Sequence, residues 1–271
     1  MSSDPGAWRP ASDRPFIAGL AGTTALYGGL LVAMIAAGAT YLHPSDFTKA
    51  FASPDIRYAI GLSLITCTVT AILSVLVATP VSYLLSRFRF PGRGLVDTLL
   101  DIPIVLPPLV IGLLLLILFQ IRLPGGGTLD SWIPLTYTVG AVILAQFTVG
   151  CAFAVRAMRA VFDHLGDRPE RVALTLGCSR FQAFWWVVLP AVQRGMVAAG
   201  ALAWARSMGE FGPILVFAGA TRQRTEVLPT TVFLELSVGN LEAAVAVSLL
   251  MVALSILILL LLRVLGERGM R

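Results

Sequence analysis

The sequence predicts an all-α integral membrane protein of about six transmembrane helices, and three observations carry that prediction. Of the 271 residues, 57% are hydrophobic and only 13% are charged, about half the charged share of an ordinary soluble domain. Apolar residues gather into six stretches, at 16–38, 60–85, 98–119, 137–155, 195–219 and 243–262, each close to or above the roughly 20 residues that carry a helix across a bilayer. The alternation that a membrane barrel would need is absent from them. In hydrocarbon a backbone amide finds no water, so each stretch has to close its own hydrogen bonds as a helix.

The first stretch is longer than the apolar core of a signal peptide, and no convincing cleavage site follows it, so it is expected to remain as an anchor. Orientation follows from the basic residues. With the amino terminus in the cytoplasm, the inside segments hold fourteen arginines: Arg9, Arg14, Arg87, Arg89, Arg93, Arg156, Arg159, Arg168, Arg171, Arg180, Arg194, Arg263, Arg268 and Arg271. The outside loops hold five basic residues, Lys49, Arg57, Arg122, Arg222 and Arg224. That asymmetry predicts that both termini are cytoplasmic. The pI of 9.6 then reflects topology and not a nucleic-acid partner, because the arginines stand at the ends of stretches and not as a patch with interleaved aromatics. Cys67, Cys151 and Cys178 have no metal-like spacing and read as small apolar fillers.

The longest segment outside the stretches lies between the fourth and fifth, at 156–194. Within it Asp167 precedes Glu170 by three residues, which fits a capping box, and Pro169 suits a first helical turn. A short helix over 169–176 is predicted, ended by Gly177 where the chain has to turn left-handed. Ser179 and Gln182 form a second capping box. The helix it opens carries Phe181, Phe184, Trp185 and Val188 at helical spacing and is expected to lie along the membrane interface, with Leu189-Pro190 closing it before the fifth span. From its residues alone, this knob at 163–190, within a single domain of 1–271, is either a docking element or a structured loop.

The fifth stretch holds the remaining chemistry. Ala201, Ala205 and Gly209 recur every four residues, a stripe that allows close helix approach, either in ordinary packing or beside a translocation path. Arg206 and Glu210 stand one turn apart and can pair. Ionised groups at membrane depth rarely face lipid, so the pair either neutralises itself or offers a permanently charged guanidinium to a passing anion. Pro213 beyond it is a kink candidate, and Pro103, Pro107 and Pro108 should bend the third stretch.

The run Arg171-Val172-Ala173-Leu174-Thr175-Leu176-Gly177, then nine residues, then Val187-Val188-Leu189-Pro190, resembles the EAA loop of binding-protein-dependent ABC importer permeases. The glycine-to-Leu-Pro spacing is kept. Arg171 and Val172 occupy the positions of the family's glutamate and first alanine, and Glu170 stands one place early. The run from Ser86 to Gly94 looks like the inside turn after the second span of these permeases, and Pro103 to Gly112 looks like the third span of the molybdate permeases. Ala205 to Pro213, Phe217-Ala218-Gly219 and Thr225 to Pro229 are similar to the molybdate and sulfate branch.

The resemblance implies the type I importer (MetI-like) permease fold in the cell inner (plasma) membrane. Its implied partners are a second permease subunit forming a homodimer, two cytoplasmic ABC ATPases and an external solute-binding protein. ATP and Mg would sit on the ATPases, with no cofactor on this chain. Glu170, Arg171, Val172, Ala173, Leu176, Gly177, Leu189 and Pro190 would couple to the ATPase. Arg206, Gly209, Glu210, Pro213, Pro107 and Pro108 would border the translocation path. The implied cargo is molybdate or tungstate first, and sulfate or thiosulfate second. The residues themselves agree with a transport role. No Gly-x-x-x-x-Gly-Lys-Ser/Thr run occurs, so ATP hydrolysis is expected on a partner and the chain is not read as an enzyme. His43 and His164 fall in loops on opposite sides, which denies a Ser–His pair within the membrane. Glu210 alone is read at mid-membrane and no inverted repeat is evident, which speaks against an ion-coupled secondary transporter.

Overall fold

The computed structural model describes residues 14–124 and 126–268; Arg9 and Arg271, counted above with the inside charges, lie outside them. The chain divides into two units, Met1–His43 and Pro44–Arg271. The first holds α1 (Arg14–Tyr41), a helix long and apolar enough to cross a membrane, as its 28 residues predict.

In the second unit α2 (Pro44–Ala52) leads into α3 (Pro54–Arg87), whose 34 residues make a rod about 50 Å long. Residues Ala59, Ser63, Cys67, Thr70, Ser74, Ala78 and Ser82 make a stripe along its buried face. All are small and spaced three or four apart, so other helices approach α3 closely. They meet α7 (Val139–Leu165) and α10 (Leu189–Met208) in the three-helix centre of the unit. Ser82 donates to the Val155 carbonyl at 2.8 Å, and Gln146 donates to the Ser207 carbonyl at 3.3 Å while accepting from Thr70. These bonds pin the register of three otherwise smooth surfaces.

The third predicted stretch is not one helix. It is α4 (Arg93–Val105) and α5 (Pro108–Gln120), bent by 113°. The cause is the consecutive prolines: Leu106 and Pro107 each precede a proline and are driven extended, with ψ 142° and 132°. Each 13-residue piece is about 20 Å long, short of a bilayer's hydrocarbon core. The one-turn α6 (Leu129–Trp132) precedes α7.

The fifth stretch is shifted toward the amino terminus. After α8 (Arg168–Thr175), a continuous helical run covers Arg180–Met208: α9 (Arg180–Ala183), a π-helical turn Phe184–Val188, then α10. Leu189-Pro190 therefore lies inside the run and does not close it. Pro190 has no N–H to donate, and the wider turn, in which the Leu189 N–H reaches the Phe184 carbonyl, accommodates the proline ring. The run ends at Met208, and Gly209 to Phe211 are irregular before α11 (Gly212–Phe217), so 209–219 does not extend the span as predicted. The chain finishes with α12 (Leu228–Ser237) and α13 (Leu241–Arg268).

Candidate functional site

The knob is built on local rules. Its helix α8 ends in a Schellman motif: the Cys178 N–H bonds the Ala173 carbonyl and the Gly177 N–H bonds the Leu174 carbonyl, both at 3.1 Å. Gly177 takes φ 93°, a backbone only glycine adopts readily. Ser179 then caps α9 as predicted, its hydroxyl accepting from the Gln182 N–H while the Gln182 side chain accepts from the Ser179 N–H. The first predicted box does not form. Asp167 makes no cap bond and pairs with Arg171 one turn on, which holds the Asp167 carboxyl below the usual carboxylate range.

Glu170 points inward instead. Its Oε1 accepts from the Tyr83 hydroxyl at 2.7 Å, and its Oε2 lies 3.3 Å from Arg87 Nε, with both ion-pair side chains buried. Arg87 also donates from Nη2 to the carbonyl of Gly166, the residue that ends α7 at φ 67°. Around this pair Tyr83 meets Phe88 and Phe162 edge to face and Phe184 at a tilt, and Arg180 covers the Phe88 ring. Nearby, Ser86 donates to Asp163 at 2.6 Å, and Arg156 and Arg159 of α7 pair with Asp101 and Asp97 of α4. Four separate chain segments are thus tied together at the knob's root.

The predicted coupling residues therefore divide by face. Ala173 is buried beside Glu170, while Arg171, Val172 and Leu176 face outward, the last two 53% and 80% exposed. A cleft of about 580 Å³ opens along Leu165, Arg168, Pro169, Val172, Leu176 and Val187. Leu189 and Pro190 belong to the membrane run beyond the π turn and are not part of this face. Of the predicted interfacial stripe, Phe181 and Trp185 are exposed, whereas Phe184 and Val188 pack into the core; Trp186, outside the stripe, is exposed as well.

The predicted path residues meet where two helices break. A Cβ on Gly212 would stand 2.9 Å from the Leu109 nitrogen, and one on Gly112 would stand 2.7 Å from the Pro213 Cα. Glycine is thus required on both sides, and the break at Pro107-Pro108 sits directly on the break at Gly209–Pro213. Arg206 Nη1 pairs with Glu210 at 2.5 Å and covers the Phe153 ring; the arginine side chain is 28% exposed and the glutamate 1%. Ala205 and Gly209 line a groove of about 490 Å³ with Met251 and Ser255 of α13.

Tyr83 and Arg87 are not among the predicted site residues, although their spacing of four places both on one face at the end of α3. Nor are the members of a cluster at the far end of α3. There Arg222 bridges Asp55 and Glu235, each at 2.9 Å, and Gln223, at φ 57°, donates to Asp55. Beside it Glu226 is fully buried with neither oxygen hydrogen-bonded, and burial raises its carboxyl above the usual range.

Residues 71–271 match the family described as "Binding-protein-dependent transport system inner membrane component". The chain is similar to the sulfate transport system permease protein CysT of Escherichia coli, 34% identical over 220 residues, covering 79% of this chain and 78% of that one. It is similar also to the molybdenum transport system permease protein ModB of Mycobacterium tuberculosis, 35% identical over 215 residues, covering 79% and 81%. A crystal structure of a bacterial ABC transporter involved in the import of the acidic polysaccharide alginate contains a chain of the same fold, with TM-score 0.70, 17% identity and 96% and 97% of the two chains covered.

Proposed function

The chain belongs to the binding-protein-dependent transport system inner membrane components, and from that premise we propose that it is the permease subunit of an ATP-driven importer of small tetrahedral oxyanions. The observation that carries the reading is the knob: an exposed apolar face, Val172 and Leu176, on a helix whose opposite side is fastened by a buried ion pair. A structured loop with no partner has no reason to combine a rigid base with an uncovered apolar face. We assign this end of the molecule to the cytoplasm from the arginine excess, which puts both termini inside.

The knob then receives an ABC ATPase, which carries ATP and Mg, and the opposite end faces an external solute-binding protein. A second copy of the chain completes the path. When the two ATPases close on ATP, the knobs move together and the attached helices rock, exposing the path to alternate sides. With Arg171 paired to Asp167 and Glu170 buried, docking depends on shape and apolar contact more than on a loop glutamate. In the membrane the Arg206 guanidinium supplies positive charge at the point where α10 breaks, partly offset by Glu210.

The sulfate and molybdate permeases above are almost equally identical to this chain, which supports the oxyanion class without ranking its members. Within the class the third-span and fifth-span motifs put molybdate and tungstate first and sulfate and thiosulfate second. Uptake of radiolabelled molybdate by cells expressing the whole transporter, challenged with excess sulfate, tests this. Weak competition by sulfate supports the molybdate preference and equal competition overturns it. Uptake of neither anion overturns the class.

A further inference from the structure

The knob is joined covalently to α7 and α9 and packs on α9 and the π turn, yet its buried polar contacts are made to α3. Glu170 is approached from two sides by side chains one turn apart on α3: its Oε1 accepts a hydrogen bond from Tyr83, and its Oε2 lies at ion-pair distance from Arg87 Nε without a hydrogen bond. Arg87 also grips the Gly166 carbonyl at the entrance to α8. A single hydrogen bond lets a helix pivot; a carboxylate held from two directions, with a third attachment at the helix entrance, does not. Burying two charges is costly unless geometry and hydrogen bonding are good, and apolar packing of the kind Ala173 already provides could hold a passive loop. The far end of α3 is fastened in turn, by Asp55 to Arg222 and Gln223.

We propose that Glu170, Arg87 and Tyr83 form a strut that passes displacement of α8 into α3, and through that rod to the Asp55–Arg222 clasp at the opposite end. Glu170 is then a positioning residue for transport and not an ATPase contact. This deepens the importer reading and rests on it for its functional consequence.

The test uses the whole complex, with ATPase and binding protein, in proteoliposomes, and reads radiolabelled sulfate and molybdate taken up per ATP hydrolysed. In Glu170→Gln the ATPase should still co-purify and turn over, while uptake per ATP falls by roughly tenfold, the scale of a lost charge-assisted bond. Tyr83→Phe, which removes only a hydroxyl, should lower the ratio by roughly threefold to tenfold and serves where the first variant fails to insert. An unchanged ratio in inserted protein overturns the strut. So does a loss of co-purified ATPase that matches the loss of uptake, because Glu170 would then belong to the dock. Hydrogen exchange of α8 amides in the purified permease is read in parallel. Faster exchange in Glu170→Gln supports the strut, and equal exchange overturns it, even where the wild-type complex shows no uptake and the importer reading itself falls.

Discussion

Replacing Gly177 isolates the backbone term that shapes the knob. Its φ is 93°, and a Cβ added there would meet nothing within 4 Å. The penalty for a side chain is therefore conformational and not a clash. An L-residue in the left-handed region costs about 1–2 kcal/mol, asparagine less and a β-branched residue more. Against this, alanine gains roughly 0.4–1 kcal/mol by stiffening the unfolded chain. The net cost is then about 0.5–1.5 kcal/mol for Gly177→Ala, with more for Gly177→Val and less for Gly177→Asn. An isolated helix of eight residues has no stability of its own, so the loss falls on the Schellman bonds of Gly177 and Cys178. Their amides should exchange about twofold to tenfold faster in Gly177→Ala and faster again in Gly177→Val. Uptake should follow the order Gly, Asn, Ala, Val, with the protein inserted throughout. Equal behaviour of the asparagine and valine variants would show that the left-handed turn is not what Gly177 supplies.

Three further outcomes are expected. Gly212→Ala should cost about 1–3 kcal/mol by overpacking, because its Cβ meets Leu109 and Pro108 backbone that cannot turn aside. Gly61→Ala, with open space around it, should be neutral or stabilising, and thermal melts in detergent compare the two. Glu226 binds its proton more tightly folded than unfolded, so its contribution to stability is full below the unfolded value near 4.5 and is lost as pH rises toward the higher folded value. Melts across that range should decline in the wild type and decline less in Glu226→Gln. Leu176→Glu, on the exposed face, should reduce ATPase co-purification severalfold while leaving melting unchanged within about 0.5 kcal/mol.

What was legible in the sequence was local. The Gly177 turn and the Ser179–Gln182 box each involve residues within a few positions, and both formed as read. Glu170 was misread as a cap because its partner Tyr83 lies 87 positions away; a capping box and a tertiary ion pair demand the same residue. The prolines of the third stretch announced a bend, but the size of the turn depends on Leu106 and Pro107 both becoming extended. Hydropathy carried the fifth stretch through 209–219 because Phe211 and the run Ile214 to Ala218 are apolar, and it takes no account of the hydrogen bonds that Pro213 and the glycines interrupt. The π turn before Pro190 leaves no period in the sequence at all, and it is what let a helix pass through a proline that ordinarily marks its end.

Under the proposed function, a partner ATPase acting on the knob drives an anion across the membrane. The energy source for uptake in proteoliposomes containing the permease and its ATPase decides this. Accumulation of labelled sulfate or molybdate is expected only with ATP and Mg on the ATPase side and the binding protein on the other, unaffected by collapse of ion gradients. Accumulation driven by a proton or sodium gradient without ATP would contradict it.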